Sequence, residues 1–145
     1  MMTEEAFSLI PFPAAGIPDI TITGTISRRN NLLTLHYSVT GSTEKIFLPP
    51  PTARPGRKAE LWKQTCFEFF LAKKEEPQYW EFNLSPSADW NAYHMDAYRR
   101  VGFREETLIH GMAIEARWTS QTFSLDGEVD LSPIVQKDAA LGVGI

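Results

Sequence analysis

A single cysteine, Cys66, occurs among the 145 residues, so an intramolecular disulfide cannot form and a multi-cysteine zinc site is excluded. A reducing compartment is the expectation. No run of about eighteen apolar residues exists. The N-terminal MMTEEAFSLIPFP starts acidic, without the basic segment and apolar run of a signal peptide. The cytoplasm is therefore the expected location, and no membrane partner is expected. Positive charge is also in short supply: 14 Lys and Arg against 18 Asp and Glu leave a net charge of −4, which disfavours nucleic acid and anionic lipid as partners. There is no HExxH zinc motif, P-loop, Rossmann glycine pattern or GxSxG elbow. No linker or internal repeat divides the chain, and its length supports one domain, residues 1–145, with its own core.

Proline, glycine and short apolar runs are plentiful instead. Ile20, Ile22, Gly24 and Ile26 alternate with threonines, and Leu33, Leu35, Tyr37 and Val39 repeat the period of two after a polar turn at 28–31. This pattern reads as a β-hairpin. Residues 46–48 read as a short third strand, and the proline-rich stretch 49–60 as a long surface loop. Strands follow at 65–72 and 79–84, then a turn at 85–89, a strand at 90–99 and a hairpin from 109–118 and 121–129. Any helix is expected to be short and to lie near 131–140. About eight strands at short spacing, with no strong helical run, predict an all-β antiparallel sandwich or barrel.

Alternation sorts the side chains by face. Phe67, Phe69 and Leu71 oppose Cys66, Glu68 and Phe70, while Trp80, Phe82 and Leu84 oppose Tyr79, Glu81 and Asn83. Pairing the apolar sets builds a core and leaves Glu68, Glu81 and Asn83 together on the other face. The later hairpin adds Glu115 and Arg117 opposite Met112, Ile114, Ala116 and Trp118. Carboxylates, an amide, a guanidinium and aromatic rings are the ingredients of a polar ligand surface, although half-exposed strands commonly look this way without binding anything. Residues 61–99 hold three of the four tryptophans, so the site is sought there.

The strings LWKQTCFEFFL at 61–71, YWEFNLSPS at 79–87 and WNAYHMDAYRR at 90–100, with FSLIPFP near the N-terminus, resemble the DOMON-like family related to type 9 carbohydrate-binding modules. The resemblance implies a jelly-roll-like β-sandwich and a non-catalytic ligand-binding role, in which relatives bind sugars or haem. Type 9 modules hold sugar between tryptophan rings with polar groups at the rim. Pyranose C–H faces lie on aromatic faces while hydroxyls need fixed donors and acceptors. Trp62 and Trp90, both at loop–strand junctions, are the aromatic candidates, with Glu68, Glu81, Asn83, Tyr93, Arg99 and Arg117 as further ligand-binding residues. Trp80 and Trp118 are expected to be structural. Against the family pattern the chain reads as C-terminally truncated, so 141–145 is expected to form an edge strand that pairs across a homodimer, or to lie on a gap.

Two other chemistries compete. Glu68 and Glu81 invite a glycoside-processing reading, because two carboxyl groups flanking a bond can act as acid and base or nucleophile. A His–Met pair can ligate haem iron. His94 and the adjacent Met95 point to opposite strand faces and cannot share one iron, whereas His94 with Met112 remains open. No cofactor or metal is expected, and Cys66 reads as buried and inert.

Overall fold

The computed structural model describes residues 2–137 and 139–145. They form two five-stranded antiparallel sheets packed as a sandwich. The first sheet contains β1 (Met2–Ser8), β2 (Ile20–Arg29), β3 (Leu32–Gly41), β8 (Ala113–Trp118) and β9 (Thr122–Asp130), in the order β1-β2-β3-β9-β8. The second contains β4 (Phe67–Lys73), β5 (Tyr79–Leu84), β6 (Trp90–Met95), β7 (Arg104–Glu105) and β10 (Leu141–Gly144), in the order β10-β4-β5-β6-β7. The all-β antiparallel sandwich read from the sequence is thus the observed fold.

The core lies where the period-two runs place it. Leu33, Leu35, Tyr37 and Val39 of β3 and Phe123, Leu125 and Val129 of β9 face Phe67, Phe69, Leu71, Trp80, Phe82 and Leu84 across the interlayer space. Phe69 and Phe82, paired in register, stack with ring centroids 4.6 Å apart. The tight turn between β2 and β3 uses Asn30 at φ 55°, a left-handed geometry that asparagine tolerates. Gly24 interrupts the isoleucine run for a steric reason: a Cβ there would collide with the Phe7 ring and the His36 carbonyl. Phe7 thereby packs edge-on against Tyr37.

Four local expectations are corrected. Residues 46–48 form no strand; a 3-10 turn at Thr43–Lys45 and irregular chain stand there, because the prolines that follow leave no ladder to extend. The strand beginning at Trp90 stops at Met95, since Arg99, Arg100 and Gly102 all adopt positive φ and break the extended path. Among the described residues, 131–140 holds no helix but a turn, in which Ile134 and Val135 donate to the Leu131 carbonyl and Arg28 donates to the carbonyls of Gln136, Lys137 and Ala139. β1 was not foreseen, because only Phe7 in it turns inward and no apolar alternation announces it. β10 pairs with β4 on one side and forms the edge of its sheet. No helix among the described residues is long and apolar enough to cross a membrane.

Candidate functional site

The face of the second sheet that looks away from the core carries three cross-strand rows. Glu68, Asn83 and Asn91 form one, Phe70, Glu81 and Tyr93 the next, and Ala72, Tyr79 and Met95 the third. The register brings Glu68, Glu81, Asn83 and Tyr93 together, and the chain above them divides the face into a roofed half and an open half.

The roof over the polar half is aromatic and cationic. A 3-10 turn at Leu61–Lys63 sets Trp62 edge-on against Tyr93 and Phe103, at centroid distances of 5.7 and 6.2 Å. Phe103 stacks on Tyr93 at 4.6 Å. Arg100 places its guanidinium 4.5 Å from the Phe103 ring and 5.3 Å from the Trp62 ring. Its Nη2 also donates to both Glu81 carboxylate oxygens, at 3.3 and 3.2 Å. Glu81 is only 4% exposed, and this contact covers its carboxylate. Glu68 is half-buried; burial raises its carboxyl pKa, the nearby Glu81 charge raises it further, and Arg100 offsets part of the rise. Burial, reinforced by Glu68, pushes the Cys66 thiol up to about 12, which leaves it inert at neutral pH.

The two asparagines of this layer differ sharply. Asn91 receives a hydrogen bond from Arg57 and donates to the Lys58 carbonyl, the Tyr93 hydroxyl and Glu105. Asn83 is fully buried, and among the described residues neither its Oδ1 nor its Nδ2 has a hydrogen-bond partner. An unpaired buried amide carries a desolvation cost that nothing nearby offsets.

The open half is a groove of about 570 Å³, walled by Phe70, Tyr79 and Tyr98 and floored by Ala72, Gly142 and Gly144. The floor is low because β10 contributes only glycines to this face. Tyr98 is carried by the loop 96–103, whose two consecutive arginines at φ 64° and 60° store backbone strain. Asp96 donates its amide to the Val101 carbonyl at 2.8 Å, and Arg104 bridges Asp96 and Gly102. The Arg100 amide donates to the Tyr79 hydroxyl, tying this loop to the groove wall.

Several expected site residues stand elsewhere. Trp90, expected outside the core set, is 5% exposed and belongs to the core. It pairs with Leu84, and the loop strand at 56–58 brackets it, with Lys58 donating to its carbonyl and the Arg57 guanidinium 4.5 Å from its ring. Arg117 and Glu115 lie on the outer face of the other sheet, where Arg117 pairs with Glu115 and Asp126, because β8 joins β9 and not β6. Arg99 is exposed, its guanidinium 5.9 Å from the Tyr98 ring, and the arginine on Glu81 is its neighbour Arg100. Trp80 is core as expected, whereas Trp118, expected to be structural, is 41% exposed. The reading missed Arg100, Phe103 and Tyr98; their only signal was the density of aromatic and basic residues after Met95. His94 packs edge-on against Trp80 and its Nε2 lies 2.9 Å from Gln78 Oε1. Among the described residues no three His, Cys, Asp or Glu side chains converge as a metal site requires.

No protein-family model matches the chain, and no curated protein matches it. Among solved structures it is similar to a proposed carbohydrate-binding protein from Bacteroides uniformis, with a TM-score of 0.63 and 11% identity over 91% of this chain. The match spans 62% of that protein's length. At this identity the likeness establishes the sandwich fold.

Proposed function

We propose that the protein is a non-catalytic carbohydrate-binding domain whose ligand lies in the open groove on the outer face of the second sheet. The observation that carries this reading is a set of three aromatic walls, Phe70, Tyr79 and Tyr98, over a low floor of Ala72, Gly142 and Gly144. A saccharide offers C–H faces to such rings, and its hydroxyls need polar groups at the rim. The Tyr79 and Tyr98 hydroxyls and Arg99, whose guanidinium lies 5.9 Å from the Tyr98 ring, are the polar groups we assign to that rim, while Trp62, Glu68, Glu81, Asn83 and Tyr93 belong to the adjoining roofed half. The fold likeness to a protein proposed to bind carbohydrate supports the same ligand class. We place the sandwich with the DOMON-like domains related to type 9 modules on the motif strings at 61–71, 79–87 and 90–100.

The geometry favours binding over glycoside processing. Glu81 is shut beneath Arg100, so Glu68 and Glu81 do not face each other across an open cleft. It also favours sugar over haem, since the His94 ring is packed and hydrogen-bonded within the fold. Calorimetric titration with soluble oligosaccharides tests the proposal. Saturable binding by the wild type, weakened about tenfold or more in Tyr79→Ala, is the expected result. Binding that Tyr79→Ala leaves unchanged places the ligand elsewhere.

A further inference from the structure

At one end of the sandwich, away from the groove, a pocket of about 420 Å³ opens between the irregular chain after β3 and the hairpin turn joining β8 to β9. Two exposed rings line it: Phe47, 61% exposed, and Trp118, 41% exposed. Neither ring is loose. Ile46 and Leu48 pack against the core on either side of Phe47 and turn it outward. Phe123, fully buried, backs Trp118 at a centroid distance of 5.1 Å.

Part of the polar lining is also fixed. Thr119 and Thr122 bond each other's hydroxyls, and the Thr119 hydroxyl accepts from the Gln121 and Thr122 amides, so the turn that carries Ser120 is rigid. Among the described residues the side chains of Thr43, Glu44 and Ser120 make no hydrogen bond or ion pair, although all three line the pocket. A single exposed ring on a protein surface is ordinary. Two rings buttressed from behind, sharing one pocket with two uncommitted hydroxyls and a carboxylate, form a site of defined chemistry.

We infer that this pocket is a second saccharide site, separate from the outer-face groove and built on the other sheet. Trp118 and Phe47 take the apolar faces of one neutral sugar ring, Glu44 accepts from its hydroxyls, and Ser120 and Thr43 donate or accept at its edge. Two sites on different faces let one domain bridge two glycan chains, or hold one long chain at two points with increased avidity.

The test is amide and indole NMR of the intact protein titrated separately with cellotetraose, maltotetraose, xylotetraose and chitotetraose. With at least one probe, the Trp118 indole and the amides of 119–122 should shift and saturate. In Phe47→Ala and Trp118→Ala the affinity read at those amides should fall about tenfold or more, with dispersion elsewhere retained. Phe47→Ala removes an exposed ring and keeps the test valid should Trp118→Ala misfold. Absence of shifts at 118–122 with all four probes, or shifts that persist unchanged in Phe47→Ala, overturns the second site. The Gly142 and Gly144 amides report the outer-face groove independently, so failure of either site is read without the other.

Discussion

Replacing Asn83 by leucine should make the protein more stable. The amide is fully buried, and both of its polar atoms lack partners among the described residues. Each such unsatisfied group costs about 1–3 kcal/mol. Leucine has the same branching and heavy-atom count, and a shape-conserving swap into a packed site costs less than about 1.5 kcal/mol. The net expectation is a gain of about 1–2 kcal/mol, or a rise in Tm of about 2–8 °C for a domain of this size. Urea titration with an unchanged m-value, alongside calorimetric melting, reads this directly. Saccharide affinity should hold, because Asn83 lies beneath the roof of Trp62 and Phe103 and not in the groove. A loss of more than about 1 kcal/mol on Asn83→Leu would refute the reasoning, because it would mean that the amide is paired in solution.

Trp90→Ala should cost about 3–5 kcal/mol in the same denaturation assay, as should Trp80→Ala, because both are core large-to-small changes; a nearly neutral Trp90→Ala would contradict its inward placement. Glu68 carries a raised pKa in the folded state, so its contribution is fully present below the unfolded pKa and is lost as pH rises through the folded value. Glu68→Gln should therefore be more stable than the wild type at neutral pH, with the difference vanishing in acid; stability curves that run parallel across that range would count against it. Among the described residues the outer side of β10 is an unpaired sheet edge, and we expect it to pair with a second copy; sedimentation showing a monomer at high concentration rules that out.

The sheet faces were legible wherever a period of two ran unbroken. The residues 67–71 and 79–84 alternate cleanly, and every one of them lies on the face its parity assigns. Trp90 was misread because the turn at 85–89 separates it from that alternation, and only the register, Leu84 opposite Trp90, decides which way it points. Arg117 was placed with Glu68 and Glu81 because the local pattern does not reveal which sheet a hairpin joins. The roof was the least legible part. Trp62, Arg100 and Phe103 meet through contacts between distant loops, and two left-handed arginines in succession follow no periodicity.

The groove itself offers the most direct test of the account. A Cβ added at Gly144 would sit at ordinary contact distance, 3.8 Å from Phe70 Cβ, so the first carbon of a side chain is accommodated there and the rest extends into the groove. Gly144→Leu should fill the space between the aromatic walls while keeping or raising stability, since glycine is a poor strand residue. Oligosaccharide titration of this variant beside the wild type is the deciding measurement. The account predicts a folded protein that no longer binds at the groove; a folded Gly144→Leu protein with wild-type affinity there would contradict it.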